Sequence, residues 1–256
     1  MAIDKPRVLL TGAGGAVGTA LRTVWQQEGR YELTLTDRKP VEDAQSTVKT
    51  GDICDYDFIQ ELVEGQDVLV DLVYLSQSNV GEREGTLTDI GLHMLLFESA
   101  VRAGVKKIVF ASSNHASGWN ERQDPQVKHL PEHIRPDGWY GAMKGMAEVA
   151  GRWLVNGHGI HFTSIRIGSF GAEVSVPNSL RACSYCLSPA DAAQLFGLAV
   201  DYDGPEKFLI TYGASDNVYG EHEGFLDLTS AKEVLGYKPH DNIMQYRDRF
   251  VEDDPG

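Results

Sequence analysis

Short apolar runs alternate with helical stretches along this chain, and the alternation itself predicts the architecture. Arg7-Val8-Leu9-Leu10-Thr11 is a compact apolar run that stops at Gly12. From Thr19 to Glu28, Leu21, Val24 and Trp25 recur at three- and four-residue spacing, which is the period of a helix with one buried face. Tyr31 to Thr36 reads as a second strand, Val48-Lys49 leads into a third strand tip at Gly51-Asp52-Ile53, and Phe58 to Val63 reads as a helix. Val68 to Val73 is almost wholly apolar, as expected of a central parallel strand buried on both faces. Further along come a helix from Leu87 to Ala103 ended by Gly104, a strand from Lys107 to Ser113, a helix from Trp139 to Leu154 and a strand from Phe162 to Ile167. A helix from Ala190 to Val200, a strand from Lys207 to Tyr212 and a short helix from Ser230 to Leu235 follow, the last stopped by Gly236 with Pro239 beyond.

Two stretches break the rhythm. Asn120 to Asp137 is polar and carries prolines, and Gly168 to Leu187 is rich in Gly, Ser, Pro and Asn. The second reads as a substrate loop resting on the sheet. Strands alternating with helices predict an α/β fold, a Rossmann-type doubly wound parallel sheet with a small C-terminal substrate lobe. At 256 residues, 42% of them hydrophobic, the chain suits one domain. Residues 1–165 are expected to form mainly the dinucleotide-binding core and 166–256 mainly the lobe, the two being interleaved.

The net charge of −14 comes from 37 acidic against 23 basic residues spread along the chain. It argues against nucleic acid or an anionic membrane as partner. Three cysteines cannot build a disulfide framework, and Cys183-x-x-Cys186 has no second pair to complete a zinc site, so no metal is expected. No long apolar span and no signal-peptide pattern is visible, so the chain is expected to stay in the cytoplasm.

The chemistry begins where the first strand stops. Gly12-Ala13-Gly14-Gly15-Ala16-Val17-Gly18 joins strand to helix and predicts a phosphate cradle. Gly12 permits the tight turn, Gly15 lets the backbone approach a pyrophosphate, and Gly18 lets the helix pack close to the strand. Ala16 and Val17 open the helix whose N-terminus faces the anion. Asp37 ends the second strand nineteen residues after Gly18, where a carboxylate accepts from an adenosine ribose and repels a 2′-phosphate. That favours NAD over NADP, with the adjacent Arg38 as the feature that speaks for NADP. Asp52 is placed either to meet an adenine amino group, beside Ile53, or to cap a turn.

Of ten tyrosines, only Tyr140 has a lysine four residues later, Lys144. On a helix that spacing puts both on one face. Lowering a phenol from about 10 to near 7 takes roughly 4 kcal/mol. An ammonium about 4–5 Å away supplies roughly 3–4 kcal/mol at an effective dielectric near 20. Ser113, at a strand tip, is placed to hold the reacting oxygen in line with that phenol.

The glycine turn, Ser113 at the fifth strand tip, Tyr140-Gly141-Ala142-Met143-Lys144 and the closing Leu226–Pro239 segment together resemble an extended short-chain dehydrogenase/reductase of the NAD-dependent epimerase/dehydratase family. Ala111-Ser112-Ser113-Asn114-His115, Arg166-Ile167-Gly168-Ser169 and Tyr212 to Asn217 resemble a narrower group, the uronate dehydrogenases and the NAD-dependent glucose-6-phosphate dehydrogenases of halophilic archaea. The resemblance implies oxidation of an aldose or uronate at its anomeric carbon to a lactone. It implies a catalytic triad of Ser113, Tyr140 and Lys144, with Tyr140 and Lys144 also touching NAD. Ser76, Asn114, His115 and Ser169 would then hold sugar hydroxyls, and Arg181 an anionic group of the substrate. The other reading of Arg181 is a surface arginine, and of His115 a structural histidine. A homo-oligomer, a dimer through a four-helix bundle of the Leu87–Ala103 and Trp139–Leu154 helices, is implied as well. Departures from the family pattern stand at Asp71, where a His is common, at Val73, at Asp89, where an Asn is common, and at Cys186, where a Trp is usual. The alternatives on the same fold are a nucleotide-sugar epimerase or dehydratase, and a non-catalytic NAD sensor.

Overall fold

The computed structural model describes residues 5–74, 83–120, 134–171, 183–218 and 224–249, with the side chains of 83–88 and 247–249 excepted. The predicted strands assemble into one sheet of seven parallel strands. These are β1 (Arg7–Thr11), β2 (Glu32–Asp37), β3 (Thr47–Thr50), β4 (Val68–Asp71), β5 (Lys107–Ser113), β6 (His161–Ile167) and β9 (Phe208–Gly213). Their spatial order is β3-β2-β1-β4-β5-β6-β9. The chain moves outward from β1 to one side, returns, and moves outward on the other. The crevice between the tips of β1 and β4 is therefore the switch point at which such sheets bind ligands.

Side-chain alternation splits the core into two faces. Val8 and Leu10 of β1 pack on one side with Leu21 and Trp25 of α1 (Ala16–Gln27) and Leu195, Phe196 and Ala199 of α5 (Pro189–Asp201). Leu9 points the other way, into a cluster with Ile108, Phe110 and Phe162. There it meets Leu96 and Phe97 of α3 (Arg83–Arg102) and Ala147 and Leu154 of α4 (Trp139–His158). Both faces being covered explains why these strands read as nearly continuous apolar runs.

Helix ends depart from the sequence expectations where capping, rather than periodicity, decides them. The first helix starts at Ala16 instead of Thr19, because Gly15 is its N-cap and Gly18 belongs to its first turn. α2 (Tyr56–Val63) starts two residues early, because the Asp55 carboxylate caps the N–H groups of Asp57 and Phe58. α4 runs four residues past Leu154, to the left-handed Gly159 at φ 70°. The third strand ends at Thr50, so Asp52 lies in a turn and not in a strand tip. Within the segment expected to be irregular, Ser169–Phe170 (β7) pairs in parallel with Cys186–Leu187 (β8). α6 (Thr229–Val234) packs beside β9. No helix among the described residues is long and apolar enough to cross a membrane.

One buried polar group ties α4 to the sheet. The Glu148 carboxylate accepts from Ser112 at 2.7 Å, from Ser164 at 2.9 Å and from both Nε and Nη2 of Arg166 at 2.9 and 2.7 Å. Both members of the ion pair are wholly buried. The fork is bidentate, and the two hydroxyls add donors to Oε1, which is the support a desolvated pair needs. Glu148→Ala strands the guanidinium and is expected to cost about 3–5 kcal/mol in urea unfolding. A loss below about 1 kcal/mol would mean the pair does not hold the helix down.

Candidate active site

The glycine turn lies at the switch point. Gly12 has φ 66°, a left-handed conformation that side chains disfavour. A Cβ on Gly18 would lie 2.4 Å from the Gly12 carbonyl oxygen, so α1 reaches the strand only because that position is bare. Gly15 caps α1 without any side-chain hydrogen bond, leaving the first-turn N–H groups of Ala16, Val17 and Gly18 for an anion. A cavity of about 810 Å³ opens there, lined among others by Gly12, Gly15, Asp37, Ile53 and Tyr74. Asp37 is fixed across the turn: its carboxylate accepts from Gly14 N–H at 3.0 Å and Lys39 N–H at 3.2 Å. Asp52 turns its carboxylate onto Cys54 N–H at 2.9 Å, while its neighbours Gly51 and Ile53 line the cavity. Bare glycines, an uncapped helix start and a positioned carboxylate fit a dinucleotide.

Next to the cavity, β5 and α4 bring the predicted triad together. Ser113 ends β5 buried, with its Oγ accepting from His115 N–H and donating to Asn114 Oδ1 at 3.4 Å, and its hydroxyl favours the ionised form of the Tyr140 phenol. Asn114 and His115 follow in a short 3-10 turn. Tyr140 lies between two rings, Tyr74 at 5.0 Å and His115 at 5.8 Å between centroids. Lys144 is on the same face of α4, fully buried, donating to the Ala111 carbonyl at 2.7 Å and lying 4.6 Å above the Phe110 ring. Ser169 is half-buried in β7. Ser76 and Arg181 lie outside the described residues.

The electrostatics differ from the sequence expectation. The Lys144 ammonium is 5.9 Å from the Tyr140 ring centre, with a proton committed to Ala111. Burial pushes the phenol up, to about 12; the Ser113 hydrogen bond pulls it down, while Tyr74 and Asp89 add to the rise. The lysine alone therefore does not bring Tyr140 near 7, because the same burial that strengthens a charge interaction penalises the phenolate. Burial also pushes Lys144 down, to about 8, against the raising influence of Asp71, Asp89 and Glu148.

Several contributors to the site escaped the sequence reading. Asp71, marked there only as a departure from the family, is wholly buried and accepts from Thr11 Oγ1 at 2.9 Å, from Val73 N–H at 3.1 Å and from His93 Nδ1 at 2.7 Å. Burial alone would raise it, but His93 and Lys144 together hold it below the usual carboxylate range. Glu148 continues the stripe of Tyr140 and Lys144 by one more turn, a spacing visible in the sequence. Tyr74 and Asp137 had no such signal, because only the fold brings them to Tyr140 and His115.

A dinucleotide cradle at the switch point, with a Ser–Tyr–Lys group beside it, defines a nicotinamide-dependent enzyme fold. The chain belongs to the NAD dependent epimerase/dehydratase family, whose model matches residues 8–179. It is 30% identical to the NAD-dependent glucose-6-phosphate dehydrogenase of Haloferax volcanii, over 95% of this chain and 96% of that one. It is 35% identical to the uronate dehydrogenase of Pseudomonas putida, over 94% and 86%. The crystal structure of uronate dehydrogenase from Agrobacterium tumefaciens superposes with a TM-score of 0.80 at 28% identity, covering 99% of this chain and 92% of that one. The family, the doubly wound fold and NAD as cofactor are as the sequence reading expected.

Burial of Lys144 makes stability depend on pH. Its folded value of about 8 lies below the ordinary 10.5, so between those values the unfolded chain binds the proton more readily than the folded one. Stability then rises with pH across that window, as the cost of burying the charge is relieved. Relative to Lys144→Met, the unaltered protein should gain about 3 kcal/mol from pH 8 to 10.5, at 1.36 kcal/mol per unit, by denaturant unfolding. Parallel stability curves for the two proteins would refute the shift.

Proposed function

We propose that this chain oxidises a sugar or sugar acid at its anomeric carbon to the lactone, with NAD as hydride acceptor. The observation that carries this reading is the meeting of Ser113 at the end of β5 with Tyr140 and Lys144 on one face of α4, beside the glycine-lined cavity. The relatives named above, which are dehydrogenases of a sugar phosphate and of uronates, support the substrate class.

The glycine cradle and Asp37 hold the dinucleotide, and Tyr140 and Lys144 stand where its nicotinamide end meets the substrate. Bound NAD supplies the hydride acceptor and a positive charge beside the phenol. Tyr140, as phenolate, takes the proton of the anomeric hydroxyl while the C–H hydride leaves. Ser113 holds that hydroxyl in line. Lys144 supports the phenolate through the field of its ammonium, which Asp71, Asp89 and Glu148 help keep charged. Asn114, His115, Ser169 and Ser76 are assigned to the sugar hydroxyls. Arg181 is assigned to an anionic group, for which a guanidinium fork is suited. We assign the chain to the cytoplasm. We also assign it a homodimer through α3 and α4, whose exposed Met94, Met146, Val149 and Trp153 support an apolar interface.

The test is a panel of glucuronate, galacturonate and glucose 6-phosphate followed by NADH absorbance. One of these classes is expected to reduce NAD. Tyr140→Phe is expected to lower kcat by about 10²–10⁴-fold while retaining NAD binding. No NADH from any aldose or uronate, together with NAD that co-purifies stoichiometrically, would replace this reading by a nucleotide-sugar epimerase.

A further inference from the structure

His115 is not alone at the site. Its Nδ1 lies 2.8 Å from Oδ2 of Asp137, a residue twenty-two positions away that sits just before α4. The Asp137 side chain is 16% exposed and the His115 side chain 51%. The carboxylate is thus largely covered while the ring reaches the surface of the site.

The backbone is built to make this meeting. Arg135 N–H donates to the Ala116 carbonyl and Trp119 N–H to the Arg135 carbonyl, both at 2.9 Å, so the two loops run side by side. Asp137 N–H then donates to the carbonyl of His115 itself, at 3.4 Å. Two glycines permit the approach. A Cβ on Gly118 would stand 2.3 Å from the Asp137 carboxylate, and a Cβ on Gly141 would stand 2.0 Å from the His115 carbonyl oxygen. Backbone and side chain of Asp137 therefore grip the same histidine.

The chemistry of the pair fixes the ring. A carboxylate only accepts, so the proton of a neutral imidazole lies on Nδ1, and Nε2 is left as a bare acceptor. The His115 and Tyr140 ring centroids are 5.8 Å apart, and Asp137 occupies Nδ1, so Nε2 is the nitrogen left for a ligand beside the phenol. We propose that Asp137 is a positioning residue that holds His115 in the tautomer with Nε2 unprotonated, so that the imidazole accepts from a hydroxyl of the sugar other than the one being oxidised. This rests on the sugar-dehydrogenase reading above. It also deepens that reading: a bare Nε2 repels a carboxylate or phosphate oxygen, so the substrate's anionic group, where there is one, lies away from His115.

Nitrogen-15 NMR of the histidine rings in the substrate-free protein at neutral pH tests the tautomer, with His115→Asn identifying the resonance. Nδ1 is expected to be protonated and Nε2 bare. In Asp137→Asn the side-chain amide donates to Nδ1, and the proton is expected to move to Nε2. The sugar KM should then rise about tenfold, with kcat within about threefold and the KM for NAD unchanged, as for a hydrogen bond made to bound sugar throughout the reaction. A ring protonated at Nε2 in the unaltered protein, or a sugar KM unchanged in Asp137→Asn, overturns the proposal. The NMR measurement needs no substrate. A protein that oxidises no sugar but shows the expected tautomer would therefore remove the sugar reading and leave the Asp137–His115 geometry standing.

Discussion

The structure depends on burying charge along one face of α4. Tyr140, Lys144 and Glu148 stand on successive turns of that helix, and the last two are completely covered by the sheet. An unpaired ammonium or carboxylate in such a place would cost several kcal/mol, so each has a partner built into the strands. Arg166 of β6, with the hydroxyls of Ser112 and Ser164, closes around Glu148. The carbonyl of Ala111 on β5 receives Lys144, with Asp71 of β4 supplying negative charge nearby. The helix is thus pinned at its polar stripe, and pinning it places the phenol at the sheet's carboxyl edge.

The same edge is where the dinucleotide cavity opens, and the coincidence follows from topology. Parallel strands all end on one side, so the glycine turn after β1, Asp37 at the end of β2, Tyr74 beyond β4 and Ser113 at the end of β5 lie along that edge. Reactive groups from sequence-distant loops are brought together by a rigid sheet, and no loop has to carry the site alone.

Burial also decides how the phenol works. It magnifies the field of a neighbouring charge and at the same time disfavours the phenolate, and in this protein the second effect prevails, leaving Tyr140 well above neutrality. Only the Ser113 side chain pulls it the other way.

Much of this was legible in the residues themselves. The pattern of residues marked the strands of the main sheet and the six α-helices of the described residues, because patterns of period two or near-continuous burial, and of period 3.6, are local properties of the chain. The glycine turn, Asp37, and the Tyr140–Lys144 spacing needed only short-range geometry as well. Helix starts were less legible at Ala16 and Tyr56, where a cap and not a hydrophobic period sets the boundary. What the tertiary structure alone decided was partnership across distance. That Asp137 grips His115, that Asp71 meets His93, that Arg166 closes on Glu148, and that Lys144 spends a proton on Ala111 all depend on which strand tips and loops the fold sets side by side. No spacing in the chain encodes these pairs, because they are fixed by packing between elements and by the free energy of satisfying polar groups once water is gone.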